Sequence, residues 1–365
     1  MLRKIALTML VLVSALLAQA QRLQVVDTDG NPIAYVCVTT EHGALIGSTG
    51  TDGCLDDLRG NAVINLSHIA FEDMTISVSD IVDGRIVMKD VDFNLPDIEV
   101  KPKELAYVQT YYRLIYFDDD GPIYYRGGVI DNTYEFAKEK AQSKTRSLSK
   151  GENGLIRFLI STIIGRYIDR LGQIQKESTY QKLLRYQDEG KLSIVESTPS
   201  RQIVSDTVSV LGYIDTDTVA LQRTTSFDMW AYSNHVKATK DAAKAAAKGK
   251  KPKEAKKSHE SEDLYYEVYR IDREGRSRID DFVMRQLQII GHRERDGKQY
   301  MILLQAYTTD RNYIDKKEYK QLRKDNKVDM EIDELRRFER VNNIPALAPN
   351  IQSQIDRLFS KQSGK

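Results

Sequence analysis

Between Leu23 and Met88 the apolar residues fall in short runs, several with a period of two, and turn formers interrupt them every few positions. Leu23, Val25 and Val26 start one strand, which Asp27-Thr28-Asp29-Gly30-Asn31-Pro32 ends. Residues 33–40 form a second, with Ala34, Val36 and Val38 on one face and Tyr35 and Cys37 on the other. A turn over 47–53 delivers Leu55, and further strands follow around Val63, Ile64 and Leu66, then at 69–71, 76–78 and 86–88. Strands this short and this closely spaced, with no helical stretch between them, predict a Greek-key β-sandwich over residues 22–101.

A second pattern starts at Glu104. Residues 105–117 are tyrosine-rich (Tyr107, Tyr111, Tyr112, Tyr116), Asp118-Asp119-Asp120-Gly121-Pro122 turns the chain, and a strand from Ile123 towards Tyr134 completes a hairpin. Ile156, Ile160, Ile163, Ile164, Tyr167, Ile168 and Leu171 share one stripe and predict a core-packing helix over 155–171. Strands are predicted at 192–195, 203–211 and 219–225, with Phe227, Trp230 and Tyr232 as packing aromatics. They resume at 264–271, 282–290 and 300–307, the last two joined through Asp296-Gly297 as a two-residue hairpin turn. The end is helical at 316–323 and 332–340. A last short helix follows Pro345 and Pro349, with Ile351, Ile355, Leu358 and Phe359 on one face and Asn350 as its cap. The fold class expected is mainly β or α+β. The sandwich leads into a larger antiparallel-sheet domain with packing helices, occupying 104–235 and 263–361.

Charge changes this picture at two places. Arg3 and Lys4, the apolar run 5–17 and Ala18-Gln19-Ala20 form a cleavable export signal over residues 1–20, with Gln21 as the mature N-terminus. The run is shorter than the ~20 apolar residues a spanning helix needs, so periplasmic or outer-membrane-associated localisation is expected, with no transmembrane segment in the mature chain. Without Arg3 and Lys4, 52 basic residues face 53 acidic ones, a balance that gives no electrostatic case for nucleic acid. The other place is the stretch from Lys237 to Lys257, where nine lysines face only Asp241 and Glu254. With so little apolar surface, residues 237–262 read as a mobile Lys/Ala-rich insertion, with at most weak contact to anionic surfaces.

The opening module also resembles a known family. Asp29, Gly30, Pro32, Ile33, Val36 and Val38, then Gly47, Thr51, Asp52, Gly53 and Leu55, then Phe71 follow the motif order of the carboxypeptidase-regulatory-like domain. Leu95-Pro96-Asp97-Ile98-Glu99-Val100 is similar to the strand that closes such domains in exported Bacteroidota proteins. The resemblance covers about residues 22–101 and implies a transthyretin-like sandwich of about seven strands in two sheets. In those bacteria the module commonly precedes TonB-dependent receptors, but the residues after Val100 cannot supply a barrel of 22 strands of roughly ten residues each. The turn Thr51-Asp52-Gly53 is one residue shorter than the family's usual form.

Candidate chemistry is sparse. Zinc carboxypeptidases use an H-x-x-E pair, and His68 and Glu72 are one residue too far apart for it. The five histidines (His42, His68, His235, His259, His292) have no ligand spacing, and no nucleophile elbow, phosphate loop or dinucleotide fingerprint occurs. The Asp118–Asp120 triplet lacks the alternating ligands of a calcium loop and reads as a solvated turn. Cys37 and Cys54 are candidates for a disulfide in an oxidising compartment. No catalytic residue, cofactor or metal is expected. The leading expectation is an exported, non-enzymatic envelope protein acting through protein or glycan contacts. The sandwich is its adaptor, removable without unfolding the rest. The alternatives are a lipid or lipoprotein carrier with an apolar half-barrel cavity, and a hydrolase with an unrecognised site.

Overall fold

The structure, a computed structural model, describes residues 22–56, 58, 60–91, 93, 104–152, 173, 175, 177–229, 231–233, 236, 262–292, 297–324 and 328–363. The export signal at 1–20, the closing segment 95–100, the helix expected at 155–171, Trp230, and the stretch from Lys237 to Lys257 lie outside the described residues.

The chain is mainly β, as its two-residue periodicity predicts. Seven short strands open it: β1 (Leu23–Val26), β2 (Cys37–Thr40), β3 (Leu45–Ser48), β4 (Cys54–Leu55), β5 (Val63–His68), β6 (Phe71–Ser77) and β7 (Arg85–Val87). They form two sheets, β4-β1-β7 and β3-β2-β5-β6. Leu23, Val25, Val36, Val38, Ile64, Leu66 and Ile86 meet between the sheets as a buried core. The strand expected at 33–40 is regular only from Cys37, because Tyr35 has a left-handed backbone (φ 65°), although Tyr35 N and the Val36 carbonyl still bond to Thr49 (both 3.0 Å). The alternation survives the break. Val36 and Val38 enter the sandwich core, while Ala34, Tyr35 and Cys37 turn outward into a second core shared with the rest of the chain.

The remaining strands build one sheet. They are β8 (Leu105–Asp118), β9 (Gly121–Glu135), β10 (Lys140–Glu152), β11 (Ser193–Thr198), β12 (Arg201–Ser205), β13 (Val210–Asp217), β14 (Gln222–Asp228), β15 (Glu262–Arg270), β16 (Phe282–His292), β17 (Gln299–Ile314) and β18 (Val328–Asp329). Their order is β11-β12-β13-β14-β15-β16-β17-β8-β9-β10-β18, antiparallel throughout except for the short β10/β18 pair. The β8/β9 hairpin turns at Asp119-Asp120 between the paired Asp118 and Gly121. β16 and β17 are paired from His292 and Gln299 onward, so their loop is six residues rather than two, with Asp296 outside the described residues.

Both faces of this sheet are dressed. Helix α1 (Thr179–Asp188), with a Ser178/Gln181 capping box, sets Leu183 against Val204, Ile214 and Phe227 on one face. Helices α2 (Lys316–Lys324), α3 (Ile332–Val341) and α4 (Pro349–Ser363) end the chain. On the opposite face α3 and α4 contribute Leu335, Ile351, Ile355 and Leu358 to the core that also holds Ala34, Tyr35, Tyr111, Ile115 and Tyr125. Glycines let the helices approach: a Cβ on Gly127 would stand 2.8 Å from Leu335, and one on Gly151 2.8 Å from Phe359. Asn350 lies inside the first turn of α4, which begins at Pro349, and its Oδ1 accepts from Ile351 N (2.9 Å). Its amide also donates to the Glu41 carbonyl (2.6 Å) and to Asn65 Oδ1 (2.8 Å), tying the helix to the sandwich.

Candidate functional site

The sandwich is held on the sheet by amide side chains that strand alternation aims at it. Gln286, Gln288 and Gln305 lie on one face of β16 and β17 and are almost fully buried. The Tyr35 carbonyl accepts from Gln288 Nε2 (2.6 Å) and Gln286 Nε2 (3.3 Å), and Ile69 N donates to Gln286 Oε1 (3.0 Å). Ser48 Oγ donates to Gln288 Oε1 (2.6 Å). Behind them Arg113, 2% exposed, donates to Gln305 Oε1 (2.6 Å) and the Pro345 carbonyl (2.8 Å). Ala348 N donates to the Asp73 carboxylate (3.0 Å); burial pushes that carboxyl up to about 6, with Arg113 pulling the other way. A third knot holds α3: Tyr111 OH donates to Glu339, which also takes Arg336 on both oxygens (2.9 and 2.8 Å). Buried polar groups joined across elements in this way favour one geometry.

The sandwich covers this face only in part, and a cleft of about 560 Å³ opens between it and β12 to β15. Arg201, Tyr213, Asp215, Thr224, Ser226 and Tyr266 line its sheet side, brought together by cross-strand pairing of Arg201 with Asp215, Tyr213 with Ser226 and Ser226 with Tyr266. Asp27, Asp29, Asn31, Phe71 and Asp90 line the sandwich side. Arg201 grips Asp215 with Nε (2.6 Å) and an Nη (3.0 Å) while its guanidinium stands 4.9 Å from the centre of the Tyr213 ring. The opposing loop is pre-shaped. Asp27 Oδ1 accepts from Asp29 N (2.9 Å) and Asn31 N (2.8 Å), and Oδ2 accepts from Asn31 Nδ2 (3.0 Å). Burial, with Asp27 and Asp29 nearby, pushes the Asp90 carboxyl upward. Hydroxyls, carboxylates and ring faces line the cleft beside apolar Ile33, Ala34, Val91, Val268 and Met284.

The residues singled out from the sequence lie elsewhere. Cys37 and Cys54 are free, so the expected disulfide is not formed. Cys37 is buried on β2 facing the large sheet, where burial pushes its thiol up, and Cys54 is half-buried on β4 of the other sandwich sheet. His68 is core: its Nδ1 accepts from Ala70 N (3.2 Å), its ring meets Tyr266 edge-on at 4.5 Å, and burial pushes it down to about 3. Glu72 is exposed on the next strand. Asp118 Oδ1 accepts from Asp120 N (2.9 Å) and Asp119 reaches Lys298 at 3.4 Å, which makes the triplet a turn. Among the described residues no cluster of His, Cys, Asp and Glu could hold a metal ion, and no helix is long and apolar enough to cross a membrane.

The cleft residues escaped sequence reasoning, yet a signal existed. Tyr213, Asp215 and Asp217 alternate with apolar Ile214, so β13 presents a polar face on the side where a buried strand would be apolar. Comparison with protein-family models and with curated proteins finds no match for this chain.

Proposed function

We propose that this is an exported envelope protein that binds a glycan in the cleft between the sandwich and the eleven-stranded sheet, and works by binding rather than catalysis. The carrying observation is the wall itself: a planar Arg201–Asp215 pair, the Tyr213 and Tyr266 rings, and the hydroxyls of Thr224 and Ser226 around one 560 Å³ space. Sugars are recognised by such fixed donors and acceptors beside aromatic faces, within a concave site. Export rests on the signal at residues 1–20. The resemblance of residues 22–101 to carboxypeptidase-regulatory-like modules supports an envelope setting, with the sandwich supplying one wall of the site.

Affinity electrophoresis tests this. The mature protein should be retarded in gels containing at least one of dextran, mannan, xylan or chitosan, and Thr224→Trp, which fills the cleft, should abolish the retardation. Free migration in all four, or equal retardation of the variant, would overturn the reading.

A further inference from the structure

Within that reading, we infer that the Arg201–Asp215 pair reads adjacent hydroxyl groups of a neutral or amine-bearing saccharide, and that the cleft rejects acidic polysaccharides. Three observations converge. The pair is directly cross-strand on β12 and β13, held at two contacts, with side chains 21% and 35% exposed towards the cleft. Its contacts engage Nε and one Nη, which leaves donors on the other Nη and spare lone pairs on both Asp215 oxygens. Neighbouring sugar hydroxyls each donate and accept, so they match a donor and an acceptor fixed side by side. The Tyr213 ring under the guanidinium limits its rotation, so the pair is ordered before ligand arrives.

Charge then selects the class. Asp27, Asp29, Asp90, Asp215 and Asp217 line the cleft, while among the described residues Arg201 is its one lining cation. Asp27 and Asp217 are committed to their own turns, Asp217 accepting from Val219 N and Ala220 N at 2.8 Å. Asp29 and Asp90 remain to face a ligand. A uronic acid brought among these groups meets like charge that Arg201, already neutralised by Asp215, cannot offset. A hexosamine ammonium meets the opposite.

The test is titration calorimetry on the mature chain with neutral tetrasaccharides of glucose, mannose and xylose, with tetraglucosamine, and with tetragalacturonate. At least one neutral or amine-bearing probe should bind about tenfold or more tighter than tetragalacturonate at low salt. Arg201→Lys keeps the charge but not the bidentate fork, and should weaken that probe by about tenfold with an unchanged melting temperature. Asp215→Asn should do the same. If tetragalacturonate binds as well as the best probe, or if both variants bind like wild type, the inference fails while the glycan reading stands. If no probe binds and the electrophoresis is also negative, both fail.

Discussion

His68 shows how burial decides a residue's role. A histidine with a carboxylate four positions on invites a metal reading, but its ring lies 1% exposed between Phe71 and Tyr266 and is held neutral. Its folded value, about 3, lies below the ordinary 6.5. The unfolded chain therefore takes up the proton first as pH falls, and the residue's contribution is complete above 6.5 and lost on the way down to 3. Wild type should thus lose ground to His68→Gln by about 1.4 kcal/mol per pH unit below 6.5. Urea melts of both proteins at pH 7, 6, 5 and 4 measure this. Taking the difference removes Asp73 and Asp263, which shift the opposite way, both rising to about 6 from 3.8. A stability gap independent of pH would show that the imidazole is not buried.

At the scale of elements, the close seat of α4 on the sheet depends on Gly151. A Cβ there would press on the Phe359 ring and on Leu358 at 3.1 Å. Gly151→Val should destabilise by about 1–3 kcal/mol through overpacking, read as a lower urea midpoint at unchanged slope. Much at this scale was legible in the sequence. The tyrosine-rich β8/β9 hairpin, the strands at β15 and β16 and the three terminal helices all carry their own period and turn residues. What was not legible depends on partners far along the chain. Nothing near Tyr35 announces a left-handed backbone; its carbonyl takes that attitude beside Gln286 and Gln288, some 250 positions on. Asn350 Oδ1 serves the helix start at Ile351 N, but the acceptors that claim its amide belong to the sandwich and were out of local view. The cleft was illegible for the same reason, its two sides being residues 27–91 and 198–284.

For the whole molecule, the expectation of a removable adaptor gives way to a shared core. Ala34, Tyr35, Cys37 and Ile69 are buried in the same cluster as Val283, Met284, Leu303 and Tyr307. Removing residues 22–101 would expose that surface together with Gln286 and Gln288, whose amides lose their partners on Tyr35, Ser48 and Ile69. The truncated chain should fail to give a cooperative thermal transition and should bind a hydrophobic dye. A sharp transition near that of the full protein would mean the two parts fold apart.

The strand order has a consequence in time. β8 lies between β9 and β17, yet β17 starts at Gln299, so one flank of β8 is satisfied within a few residues and the other only after about 180 more have been made. A chain synthesised from its N-terminus would deliver the hairpin with Tyr107, Tyr111 and Ile115 on an open edge long before the strand that closes it. Edges of this kind recruit the wrong neighbour, and distant closure slows folding. The protein's passage to its final state is therefore a race between late arrival and early mispairing, in which a chaperone that shields the β8 edge would set the yield.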